Sequence, residues 1–79
     1  MNFSYEELSK YLSQGRELHF FYQNYQYSIS NNKDGYYLKK FSEPEGQDFI
    51  SVEELLANGK VESYGLEEIW DAVTVDVLF

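Results

Sequence analysis

The chain has no cysteine in its 79 residues, which excludes disulfide staples, thiolate nucleophiles and cysteine-based zinc sites. A small secreted domain commonly relies on such staples, so their absence points to a reducing, cytoplasmic setting. No apolar run approaches the length of a membrane span, and the opening "MNFSYEELSK" lacks the basic start and apolar core of a signal peptide. Basic residues are scarce, and their shortage is uneven. Residues 1–40 carry five Lys or Arg against four acids, whereas residues 41–79 carry ten acids against Lys60 alone. Direct binding of nucleic acid needs clustered Lys and Arg, so this balance argues against it and in favour of a basic protein partner. Motifs of known chemistry are missing too: there is no G-x-S-x-G, no HExxH and no glycine-rich phosphate loop.

Aromatic residues are plentiful instead. They make up 19% of the chain, enough buried surface to offset the ordering entropy that a net charge of −8 would otherwise leave unopposed. At this length residues 1–79 form one domain with a thin stability margin.

"FSYEELSKYLSQG" carries the signature of a capped helix. Ser4 caps, Glu7 completes the capping box, Phe3 and Leu8 stand as a staple, and Gly15 ends the helix. The device returns in "ISVEELLANG", with Ser51, Glu54, Ile50, Leu55 and Gly59 in the corresponding places. The segments after the two helices differ, so capping chemistry rather than duplication explains the match. Between them "RELHFFYQ", "YQYSIS" and "GYYLKKF" alternate as strands. "QN" forms a tight hairpin and "SNNKDG" a second turn. "SEPEGQD" reads as a loop, "GLEEIWDA" as a short helical turn, and "AVTVDVLF" as a last strand with Val73, Val75, Val77 and Phe79 on one face. The expected fold is therefore α+β: an antiparallel sheet of three to four strands, order α-β-β-β-α-(α)-β, with both helices on one face.

In that sheet Leu18, Phe20, Tyr22, Tyr25, Tyr27 and Ile29 are the expected core rows, by regular alternation. His19, Phe21, Tyr37, Lys39 and Phe41 then project from the other face. Either they form an exposed patch of the kind that meets a partner, or the loop 42–49 or the Trp70 turn folds over them. His19 has no nucleophile or orienting group set beside it by any motif, so catalysis is not expected. Glu43, Glu45 and Asp48 lack the ligand spacing of a calcium loop. No cofactor or metal is expected. Glu53, Glu54, Glu62, Glu67, Glu68, Asp71 and Asp76 are too many carboxylates to bury and are expected to form a solvated acidic face.

The succession of a capped helix, "ELHFFYQNYQYSIS", "GYYLKKF", "FISVEELL" and "GLEEIWDAVTVDVLF" resembles a loose group of small acidic proteins of unknown function from Gram-positive bacteria and their phages and mobile elements. The resemblance implies a single α+β domain and a phage or mobile-element accessory role, and it brings no catalytic residue. The function expected is a non-enzymatic module that binds another protein through the open sheet face, the acidic side or both. The alternative is a nucleic-acid mimic that occupies the basic groove of a DNA-binding or defence protein. A second copy of the chain is a further candidate partner, through the Tyr/Phe face or the last strand.

Overall fold

The computed structural model describes residues 2–79. Helix α1 (Tyr5–Ser13) begins where Ser4 Oγ accepts from Glu7 N–H while the Glu7 carboxylate accepts from Ser4 N–H. It ends at Gly15 in the left-handed region, φ 83°, where Gly15 N–H and Arg16 N–H donate to the Leu12 and Tyr11 carbonyls. Both ends thus satisfy main-chain groups that a bare helix would leave open. Strands β1 (Leu18–Tyr22), β2 (Tyr25–Asn32) and β3 (Gly35–Lys40) come next as an antiparallel meander. Gln23 and Asn24, at φ 51° and 69°, supply the two left-handed residues that a two-residue hairpin demands.

Strand β4 (Gln47–Phe49) lies in the stretch that composition marks as loop. After Pro44 and Gly46 turn the chain, Gln47 to Phe49 pair with Leu38 to Tyr36 and complete the exposed edge of β3. Helix α2 (Val52–Asn58) opens with Ser51 Oγ accepting from Glu54 N–H. Its expected staple does not form: Leu55 is fully buried, whereas Ile50 is 81% exposed. Ile50 leaves the sheet edge directly after β4, and its side chain stays on the solvent side.

"KVESYG" folds as a miniature hairpin, β5 (Lys60–Val61) and β6 (Tyr64–Gly65), that alternation over two-residue strands is too short to reveal. Its tip holds Glu62 and Ser63 at φ 51° and 74°, a conformation that costs roughly 1–2 kcal/mol per non-glycine residue. Helix α3 (Leu66–Ile69) and a 3₁₀ turn (Trp70–Ala72) lead into β7 (Thr74–Leu78), which pairs antiparallel with β1. The main sheet thus has five strands, one more than the largest number expected, in the order β4-β3-β2-β1-β7. Along the chain the elements run α-β-β-β-β-α-β-β-α-β.

The core sits between the sheet and its helices. Leu8 and Leu12 of α1, Leu55 of α2 and Leu66 of α3 pack with Leu18, Phe20, Tyr27, Ile29 and Leu38 of the sheet. Phe20 lies at the centre, stacked on Tyr27 at 5.4 Å and edge-on to Trp70 at 5.7 Å. Trp70 Nε1 donates to the Phe3 carbonyl, and Asn2 Oδ1 accepts from Val75 N–H, which straps residues 2–3 across the end of β7. Five of the six expected core-row residues are buried. Tyr25 is the exception at 49% exposure, although its cross-strand partner Tyr22 is buried.

The last strand departs most from simple alternation. Phe20 pairs with Val75 but His19 pairs with Val77, so β7 carries a bulge at Asp76. A bulge sets two successive residues against one and reverses the faces beyond it. Val75 points to the core, yet Val77 stands beside His19, Leu78 turns inward beside Leu18, and the Phe79 ring lies 5.0 Å from His19 on the opposite face. The expected grouping of Val77 and Phe79 with Val73 and Val75 is therefore corrected.

Candidate functional site

The second face of the sheet is open along all five strands. Cross-strand register sets Lys39, Ser28, His19 and Val77 in one row, and Phe41, Gln26, Phe21 and Thr74 in the next. Ser28 and Gln26 are short or polar, so the rings on either side lean over β2. Phe41 reaches His19 edge-on at 5.0 Å, and Phe79 meets the same imidazole from the β7 side at 5.0 Å. A ridge of three rings results, with Phe21 beside it. Phe21, Phe41 and Phe79 remain 37%, 48% and 58% exposed.

Neither of the segments that sequence offered as a cover lies over this ridge. Residues 47–49 are the edge strand β4, and Trp70 is buried on the far side against Phe3 and Phe20. All five residues expected on this face, His19, Phe21, Tyr37, Lys39 and Phe41, are brought together there. Val77 and Phe79 belong with them and escape sequence reasoning, since only the bulge puts them on this side; Asp76 joins them by ordinary alternation after the inward Val75. Asp76 Oδ2 accepts from Gln26 Nε2 at 3.2 Å, which fixes its carboxylate over the open face. Tyr37 Oη donates to Asn32 Oδ1 at the far end. No serine or carboxylate hydrogen-bonds to the His19 ring among the described residues, although Ser28 and Val77 flank it in the sheet.

The seven expected acidic-face residues do not share one surface. Glu53 and Glu54 begin α2, Glu67 and Glu68 begin α3, and Asp71 lies in the 3₁₀ turn, all on the helical side. Glu68 is spent on local structure, accepting from Gly65 N–H at 2.9 Å. Asp76 is on the opposite face. Glu62, at the β5–β6 tip, is bound inward. It pairs with Lys40 Nζ at 2.9 Å and accepts from the Tyr27 hydroxyl, while Lys40 also sits 3.7 Å above the exposed ring of Tyr25.

This network lines a shallow cleft of about 220 Å³ with Gly46, Gln47 and Lys60 at its rim. Gln47 both donates to the Lys60 carbonyl and accepts from Lys60 N–H, tying β4 to β5. The polar groups of the cleft thus engage one another. Glu43 and Glu45 stand at the same rim, whereas Asp48 pairs across from Tyr37; among the described residues no group of three His, Asp or Glu is placed to hold a metal ion.

The network has a pH signature. The Tyr27 hydrogen bond and then Lys40 hold the Glu62 carboxyl below its ordinary value of 4.5, and burial followed by Glu62 pushes the Tyr27 phenol above its ordinary value of 10. A depressed acid adds stability above its unfolded pKa that disappears as pH falls through the folded one. A raised phenol adds stability below its unfolded pKa that disappears as pH rises toward the folded one. Urea midpoints of the wild type should therefore fall below about pH 4.5 and again above about pH 10. Glu62→Gln should flatten the acid flank and Tyr27→Phe the alkaline one. Variant curves that run parallel to wild type on both flanks would show that the network does not contribute.

Among the described residues no helix is long and apolar enough to cross a membrane. Compared with known proteins, the chain matches no family model, no curated protein and no solved structure.

Proposed function

We propose that the chain is a non-enzymatic protein-interaction module whose contact surface is the open sheet face. The observation that supports this reading is the uncovered ridge of Phe41, His19 and Phe79 with Phe21 beside it. A domain this small has little apolar surface to leave wet, and exposed aromatic clusters tend to mark contacts with a partner. Aromatic side chains also dominate binding energy at interfaces, because they bury large area with few rotamers to fix.

The mimicry reading is weaker on geometry. A mimic needs carboxylates free to meet a basic groove, yet Glu62 and Glu68 are held by internal bonds and Asp76 faces away. Of the seven carboxylates expected on the acidic face, Glu53, Glu54, Glu67 and Asp71 are left to it on the helical side.

Capture from host lysate with three immobilised forms separates the two readings. Wild type and a Glu53→Gln, Glu54→Gln, Glu67→Gln, Glu68→Gln variant should retain the same partner at about 0.5 M salt, where exposed charges are screened. A Phe21→Ser, Phe41→Ser variant with an unchanged circular dichroism spectrum should lose it. Capture that the glutamine variant and salt abolish, and that the serine variant keeps, would establish the acidic side instead.

A further inference from the structure

We propose that the partner of the open face is a second copy of this chain, stacked sheet to sheet about a two-fold axis parallel to the strands. The inference rests on the open face being the contact surface and adds what occupies it. The order β4-β3-β2-β1-β7 and the pairing registers locate the axis. Lys39 on β3 and the Asp76–Val77 bulge on β7 stand at the same level of the sheet, each on the second strand out from the line between β2 and β1. Rotation about that line carries β3 of one copy over β7 of the other. Each Lys39 is then set against an Asp76, twice over, and each Ser28 against a His19.

The aromatic ridge spans the same line, since Phe41 reaches in from β3 and Phe79 from β7 to meet at His19. Its rings therefore meet the partner's rings at the centre, and the charged pairs fall outside them. This is the arrangement of an isologous interface, with an apolar centre and a polar rim. The bulge matters here because it adds Val77 and Phe79 to the face that already carries Asp76, whose carboxylate Gln26 holds.

Charge and size allow the pairing. The four overlapping strands carry Lys39 and Asp76 as their outward charges, one of each sign, with Asp48 beyond them on β4, while the helical side holds most of the net charge of −8. The molecule is 21 Å through its shortest axis, more than twice the screening length of about 8 Å at physiological ionic strength. The four strands that overlap, β3, β2, β1 and β7, lie about 4.8 Å apart and average six residues, a face of roughly 400 Å². Two such faces bury roughly 800 Å², the scale of a weak, reversible interface.

The test is sedimentation equilibrium across micromolar to millimolar chain, with circular dichroism as the folding control. Wild type should be a dimer. Lys39→Asp and Asp76→Lys should each weaken association by roughly ten-fold or more, through like charges set opposite one another. The double exchange should restore it, and Phe79→Ser should leave a monomer. A wild type that stays monomeric, a dimer indifferent to the single charge changes, or a double variant that does not recover would each overturn the inference. A monomer whose lysate capture still requires Phe21 and Phe41 would overturn the dimer alone; a dimer untouched by Phe79→Ser, with capture independent of Phe21 and Phe41, would remove the open-face reading as well.

Discussion

Phe20→Ala should cost about 3–5 kcal/mol of folding stability, the penalty for emptying a large aromatic site. A domain of this length holds on the order of 4–12 kcal/mol in all, so a large part of its stability is removed. Phe20 is fully buried and touches both ends of the core, the Tyr27 ring on β2 and Trp70 beneath residues 2–3. Its neighbour Phe21 is one residue away on the opposite face and 37% exposed. Phe21→Ala should cost less than about 1 kcal/mol, the usual scale of a surface change. Urea unfolding followed by the fluorescence of Trp70, the only tryptophan, reads both variants. Equal losses, or a larger loss at Phe21, would mean that the two faces of the sheet have been exchanged.

Gly35→Ala should be the second large effect, about 2–5 kcal/mol from overpacking and backbone strain together. Gly35 is buried at φ 154°, and a Cβ there would overlap the Phe49 carbonyl oxygen of β4. Main chain cannot yield as a flexible side chain does, so β4 must move off β3 or the turn before β3 must distort. Gly15→Ala is the matched control: its φ of 83° is equally unsuited to alanine, but nothing lies within 4 Å of the new methyl group. Its cost should stay near the ~1–2 kcal/mol of left-handed strain alone. Hydrogen exchange distinguishes the two, because Gly35→Ala should release the β3–β4 amides selectively. Equal costs and unaltered β4 protection would refute the close approach.

The mutants also mark where local sequence is sufficient. Capping and strand alternation are short-range physics, and they act within a few residues of the groups they satisfy. Ser4, Glu7 and Gly15 bound α1 as their types require, and Leu18, Phe20, Tyr22, Tyr27 and Ile29 face inward at period two. The same rule places His19, Phe21, Tyr37 and Lys39 on the outer face. It cannot say whether anything lies over them, since cover depends on where distant segments come to rest.

Two capped helices, a meander of aromatic strands and the buried side chains of that meander were legible along the chain, because each depends on near neighbours. Long-range packing was needed to make 47–49 an edge strand, to leave Tyr25 wet, and to bring Trp70 into the core instead of over the outer face. It was needed again for the bulge that turns Val77 and Phe79 outward. Each of these depends on what a remote strand or helix presents, and a pattern read along one segment carries no record of its partner's register.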